Sequence, residues 1–266
     1  MITIKFGGSV IDDLHPSAIK DIQKLATTEK IVIVHGGGKE VTSVATKLGK
    51  EQKFIVSPSG IRSRFTDKDT IEIYTMVMSG RVNKQIVKWL VKSGLKAVGI
   101  SGIDSGLIRA TRKSKLTIIN DKGRKMVIEG GYTGKIKSVD SSLLNLLMGE
   151  GYLPVVSPIA LSEDYEYLNV DGDRAAAYVA GSLQADKIIF ITDVSGLIQD
   201  DVLVRKLTLN EAKLMLPKIG FGMEKKVLAC TEALMMGTRE AIISSGRIPN
   251  PISSAIGHNE GTVITN

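Results

Sequence analysis

The segment Ile31-Val32-Ile33-Val34-His35-Gly36-Gly37-Gly38-Lys39 decides the fold class. Four β-branched residues in a row leave no polar face, as in a strand buried on both sides of a parallel sheet. The run ends in three glycines, and a helical pattern begins near Lys39. At such a turn, glycine lets the backbone approach a ligand closely, and free N–H groups at the positive helix end face an anion. The N-terminal run Ile2-Thr3-Ile4-Lys5-Phe6 leads into a second pair, Gly7-Gly8. Further apolar runs at 97–101, 154–157, 187–192 and 241–244 also read as doubly buried strands, and amphipathic helical patterns separate them. This alternation predicts an α/β fold, a three-layer α/β/α sandwich with a mostly parallel central sheet and ligands beyond the carboxyl ends of its strands.

Two glycine loops ending two such strands suggest phosphate handling, although a bare tight turn explains either one alone. Neither loop contains Gly-x-x-x-x-Gly-Lys-Ser/Thr or Gly-x-Gly-x-x-Gly, which disfavours an ordinary P-loop NTPase or dinucleotide enzyme. Lys5 sits inside an apolar strand, where an ammonium costs several kcal/mol unless an anion meets it. Either a ligand phosphate or a structural carboxylate could be that anion.

Two other segments carry structural expectations. Residues 67–93 are rich in helix formers and place Ile71, Ile73, Val77, Met78, Val82, Ile86 and Trp89 on more than one face, which fits either a dimer interface or a central core helix. Residues 109–129 alternate about Lys122-Gly123-Arg124 and predict a surface β-hairpin.

Composition narrows the class. The 266 residues, 43% hydrophobic and 24% charged, describe an ordinary globular chain. No apolar run approaches the roughly 20 residues of a membrane span. The sequence starts a strand at once and has no signal-peptide pattern, and its single cysteine, Cys230, lies in an apolar run, so a buried thiol and a cytoplasmic location are expected. A net charge of +7 favours acidic partners or substrates. The cations are scattered rather than interleaved with aromatics, so nucleic acid is not expected as a partner.

Six motifs then converge. Lys5-Phe6-Gly7-Gly8, His35-Gly36-Gly37-Gly38, Gly60-Ile61-Arg62, Leu168-Asn169-Val170-Asp171-Gly172-Asp173, Thr192-Asp193-Val194-Ser195-Gly196 and Gly222-Met223-Glu224-Lys225-Lys226 occur in the order seen in the amino-acid kinase family. The resemblance spans essentially the whole chain and is closest to the N-acetylglutamate kinase branch. Within it, 59–66 and 129–135 look most like the carrier-dependent aminoadipate/glutamate kinases, whose substrate is joined to a small acidic carrier protein.

The resemblance implies an ATP- and Mg²⁺-dependent kinase that phosphorylates a side-chain carboxylate in lysine or arginine biosynthesis. It implies a homodimer with an amino-acid lobe at 1–165 and an ATP lobe at 166–266 sharing one sheet. Lys5 and Lys226 would flank the transferring phosphoryl group, and Asp173 would orient both, unless it is simply a helix N-cap for 174–183. Gly37, Gly38, Arg62 and Asn169 would bind the substrate. ATP would meet Gly7, Gly8, Asp193, Ser195, Gly196, Gly222 and Met223, with Gly7, Gly8, Gly37 and Gly38 supplying backbone N–H donors. Arg64, Lys68, Arg81 and Lys84 are candidates for carrier docking. No dedicated protein ligand set for the metal is expected, because ATP oxygens and water would carry it. A kinase for free N-acetylglutamate and a non-catalytic amino-acid-binding module remain as alternatives.

Overall fold

The computed structural model describes residues 1–220 and 222–266. Its centre is an eight-stranded sheet in the order Lys206–Thr208, Thr262–Thr265, Glu240–Ser245, Lys187–Thr192, Ile2–Phe6, Ile31–His35, Leu153–Ser157, Ala97–Ser101. Every neighbouring pair is parallel except Glu240–Ser245 with Thr262–Thr265. Helices cover both faces, giving the three layers that the strand–helix alternation predicts.

Period-two geometry distributes the strand residues between two cores. Ile2, Ile4 and Phe6 enter one core with Ile31 and Ile33, whereas Val32 and Val34 enter the other. The alternation turns Lys5 toward the second face, where the helix Gly172–Ser182 passes. His35, paired in register with Phe6, turns toward the opposite face and the helix that starts at Asn83.

Several expectations need correction. Strand Ala97–Ser101 lies at the sheet edge and is mostly half-buried rather than covered on both sides. The region around 109–129 is not one hairpin. Its first strand, Ile108–Arg112, pairs with Gly134–Val139 in a second sheet, and only Lys115–Ile119 and Lys125–Glu129 form the hairpin. That hairpin joins Phe54–Val56 and Arg62–Arg64 in a third sheet, which forms a canopy over the carboxyl ends of the central strands. The helix expected from 174 begins at Gly172, and Asp171, not Asp173, is its N-cap, accepting from the N–H groups of Asp173 and Arg174 at 3.0 and 3.1 Å.

The long helical stretch is a core helix, the second of the two readings offered for it. Lys68–Thr75 continues through a π-helical segment, Met76–Val82, into Asn83–Lys92. Ile71, Val77, Met78, Val82, Ile86 and Leu90 are buried in the core, while Met76 and Val91 are more than half exposed on other faces. Cys230 is buried. Among the described residues no helix is long and apolar enough to cross a membrane.

One long-range cap holds the two ends of the chain together. The buried Asp21 carboxylate, on the helix Ser17–Leu25, accepts from the N–H groups of Ile252 and Ser253 at 2.8 and 2.7 Å and from the Ser253 hydroxyl. It therefore caps the helix Pro251–Ile256, whose own N-cap residue, Asn250, supplies no side-chain bond. Asp21→Ala is expected to cost about 1–3 kcal/mol of stability by orphaning these donors, measurable as a lower urea midpoint with unchanged slope.

Candidate active site

The canopy and the strand ends enclose a cleft of about 700 Å³. Among the predicted residues, Lys5, Gly8, Gly37, Gly38, Arg62, Arg64, Asn169, Asp173, Gly222 and Lys226 all line it. Gly7, Asp193, Ser195, Gly196, Met223, Lys68, Arg81 and Lys84 are not part of its wall.

At the floor, one carboxylate holds two ammonium groups. Asp173 Oδ1 lies 2.5 Å from Lys5 Nζ, and Oδ2 lies 3.0 Å from Lys226 Nζ. The first lysine comes from the central strand and the second from the helix Met223–Met235, so residues 221 positions apart converge on one anion. Burial by itself would raise the Asp173 pKa, but the charges of Lys5 and Lys226 outweigh it and hold the carboxyl well below its usual range. Burial likewise opposes the Lys226 charge, and the Asp173 carboxylate overcomes it and raises that pKa. The cluster of two cations and one anion keeps a net positive charge facing the cleft.

The two glycine loops touch each other beside this cluster. A Cβ on Gly8 would lie 2.5 Å from Gly37 N, and one on Gly36 would lie 2.6 Å from Gly8 N, so no larger residue fits at either position without moving backbone. On its other side Gly37 carries Met78 and Val82 of the long helix, whose side chains a Cβ would strike. The loop N–H groups do not all remain available. Gly7 N–H is spent on Ile191 O and Gly36 N–H on Phe6 O, both at 2.8 Å. Gly7 is thus corrected: it extends the sheet and cannot donate to a phosphate. No protein acceptor among the described residues takes up the N–H groups of Gly8, Gly37 or Gly38.

The canopy supplies the roof. Arg62 and Arg64 stack on Phe54 at 4.2 and 5.0 Å from the ring centre. Among the described residues the Arg62 guanidinium has no ion pair, while its carbonyl accepts from Lys225 Nζ at 2.7 Å. Arg64 turns inward and donates to Gly38 O and Thr42 Oγ1 at 2.8 and 2.9 Å, and so ties the canopy to the start of the helix Gly38–Lys47. Asn169 Nδ2 donates to Thr66 Oγ1 at 2.9 Å, which fixes its amide at the cleft wall.

Sequence reasoning passed over Lys113. This half-buried residue lines the cleft with no ion pair among the described residues, and burial, then the nearby Arg174 and Lys135, lowers its pKa. It sits between two strands of different sheets, and no motif marks it.

The proposed carrier-docking set does not form one surface. Arg64 is committed inward, as above. Arg81 pairs with Glu40 at 2.5 Å in the wall of a separate cavity, and Lys84 Nζ donates to Gly99 O at 2.8 Å at the sheet edge. Lys68 stays exposed at the start of its helix. Asp193 lies outside the cleft, but its charge helps to raise the Lys226 pKa.

His35 is fully buried, and burial lowers its pKa to about 4, with the nearby Lys5 and Lys84 charges adding to the effect. A histidine neutral in the fold loses out to the unfolded chain once that chain takes up a proton. Its stability contribution is therefore intact above pH 6.5 and declines by about 1.4 kcal/mol per pH unit as pH falls toward 4. Urea titrations at pH 7.5 and 5.0 should differ by about 2 kcal/mol from this group, a difference that His35→Asn should remove.

Residues 1–245 match the amino acid kinase family, and the chain belongs to that family. Its relatives are specific. A LysW-aminoadipate/LysW-glutamate kinase of Saccharolobus solfataricus is 43% identical over 267 residues, covering 100% of both chains. A protein of Nitrosopumilus maritimus (strain SCM1), provisionally given the same kinase name, is 62% identical over 264 residues and 99% of each chain. Among solved structures, a Streptococcus mutans UA159 protein superposes with a TM-score of 0.81 at 21% identity, covering 99% of this chain and 98% of that one. Carbamate kinase from Giardia lamblia bound to AMP-PNP superposes at 0.70 and 16% identity, covering 99% and 98%; these two likenesses establish the fold.

Proposed function

We propose that this chain is a kinase that moves the γ-phosphoryl group of ATP onto the side-chain carboxylate of aminoadipate or glutamate joined to an acidic carrier protein. The product is an acyl phosphate in amino-acid biosynthesis, in the branch leading to lysine or arginine. The observation that carries the reading is the Lys5–Asp173–Lys226 cluster at the floor of the cleft.

Attack by a carboxylate oxygen forms one O–P bond while the bond from the γ-phosphorus to the β,γ-bridging oxygen breaks, and ADP leaves with that electron pair. The nucleophile is already ionised, so no general base is needed, and the task is alignment and neutralisation of charge. Lys5 and Lys226 neutralise the transferring group from two sides, and Asp173 holds them apart from mutual repulsion. Gly8, Gly37 and Gly38 donate N–H groups, Arg62 clamps the substrate's remaining carboxylate or carbonyl with its planar fork, and Asn169 orients its backbone. Nucleotide contacts fall mainly to 166–266, around Asp193, Ser195, Gly196, Gly222 and Met223, and the amino acid mainly to 1–165, with Asn169 reaching it from the second part. Asp173 is occupied by two ammonium groups, so Mg²⁺ would be held on ATP oxygens, where it supplies further charge neutralisation.

The carrier rests on the canopy rather than on the long helix. Lys113, Lys115, Lys122, Arg124 and Lys125 carry no ion pair among the described residues, and Met126 and Val127 are exposed on the same hairpin. The exposed Met76 and Val91 leave the long helix to a homodimer contact, and a cytoplasmic enzyme fits the free buried thiol.

The deciding assay offers ATP with carrier-linked glutamate or aminoadipate on one side and N-acetylglutamate on the other. Turnover confined to the carrier-linked substrates, weakening as salt rises, is expected. Brisk turnover of the acetylated amino acid would remove the carrier from the reading, and no ATP consumption with any of them would leave only a binding module.

A further inference from the structure

Four residues form a chain of contacts that ends at the reaction cleft, and none of them has a part in the chemistry above. Lys84 Nζ donates to Asn83 Oδ1 at 3.2 Å. Asn83 Nδ2 faces Val155 O at 2.8 Å, Ile100 O at 3.2 Å and His35 Nε2 at 3.3 Å. His35 Nδ1 lies 2.9 Å from Gly36 O. The Asn83 amide can take only one orientation here, because its oxygen meets an ammonium and its nitrogen meets two carbonyls. Nε2 of His35 faces this NH2 group, to which it cannot donate, and Nδ1 faces a carbonyl, so the single ring proton of the neutral ring sits on Nδ1 and is donated to Gly36 O.

That last bond fixes a peptide plane. In a trans peptide the C=O and the following N–H point in opposite directions. A Gly36 carbonyl held by His35 sends the Gly37 N–H the other way, toward Gly8 and the cleft. Glycine on both sides of this peptide leaves it free to rotate unless something holds it. Asn83, in turn, begins the segment that follows the π-helical stretch whose Met78 and Val82 pack on Gly37.

We infer that His35, oriented by Asn83 and Lys84, is a positioning residue that locks the Gly36–Gly37 peptide with its N–H aimed at the transferring phosphoryl group. Lys84 thereby acquires a role at the sheet edge instead of at a carrier surface. The inference rests on the kinase reading, and the two can fail separately.

The first test needs no activity. Long-range ¹H–¹⁵N spectra of histidine-labelled protein, which contains only His15, His35 and His258, should show His35 as the neutral Nδ1–H tautomer at pH 7.5. An Nε2–H tautomer or a charged ring would overturn the proposal whatever the enzyme does. The second test is kinetic. His35→Leu should lower kcat about 100-fold, as expected when one preorganised donor is misaligned, with KM for ATP and for the acceptor within about threefold. His35→Asn, whose side-chain amide can reach the Gly36 carbonyl from the Nδ1 position, should recover about tenfold of that loss. Equal kcat values for the folded Leu variant and the parent enzyme, or an Asn variant no better than Leu, would refute the positioning role. A parent enzyme inert toward every acceptor would instead refute the kinase reading and leave the tautomer result standing.

Discussion

Alanine in place of Lys5 or Lys226 is expected to lower kcat by about two to three orders of magnitude while KM for the acceptor changes little, because each ammonium contributes on the order of 3 kcal/mol at the transferring group. The two substitutions should not be equivalent in stability. Lys5 is almost fully buried and lies 2.5 Å from Asp173, so its loss leaves a buried carboxylate with one partner; Lys226 is more accessible at 19% exposure. Removing the shared anion is more severe for the fold: Asp173→Ala strands two ammonium groups beside each other, at about 3–5 kcal/mol. Steady-state kinetics with urea unfolding of the three variants separates these contributions. A Lys5 variant that kept its kcat and raised only KM would show that the group binds substrate without acting on the transition state.

The second large effect belongs to Gly8→Ala. The added methyl would lie 2.5 Å from Gly37 N and 3.0 Å from Gly37 Cα, and both obstacles are backbone rather than flexible side-chain ends. Relief requires the two loops to separate by several tenths of an ångström or more. Overpacking of this kind costs about 1–3 kcal/mol in stability. Displacement of the Gly8 and Gly37 donors should lower kcat by roughly 100-fold or more, since small misplacements at a reacting centre have that consequence. Gly38→Ala is the control, because a Cβ there meets nothing closer than 3.8 Å. Comparable kcat losses for the two variants would mean that the loop contact is not what sets the donors.

Six of the eight central strands are readable from residue pattern, most clearly where they are apolar and β-branched on both faces, as at 31–34 and 187–192, whereas Lys206–Thr208 and Thr262–Thr265 at the far edge are too short to stand out. The second and third sheets are not readable in the same way. Whether Ile108–Arg112 pairs with its neighbour in sequence or with Gly134–Val139 depends on long-range packing that local alternation does not encode. The site shows the same division. Lys5 stands out as a charge in an apolar strand, and Asp173 and Lys226 fall within family motifs. Yet sequence alone does not separate Asp171 from Asp173 as the cap, because both precede the same helix and differ only in where the first turn aims them. Arg64 and Lys84 look like solvated surface charges, and their inward hydrogen bonds depend on where two distant backbone carbonyls, Gly38 and Gly99, come to rest.

The strand Ile2–Phe6 lies between Ile31–His35, from the first part of the chain, and Lys187–Thr192, from the second. The proposed boundary between an amino-acid lobe and an ATP lobe would thus be crossed by a hydrogen-bonded ladder in mid-sheet rather than by a hinge. Severing the polypeptide near residue 165 would expose two long apolar edges, each a template for the other. Fragments made that way should find one another or precipitate, and neither should persist alone as a tractable domain.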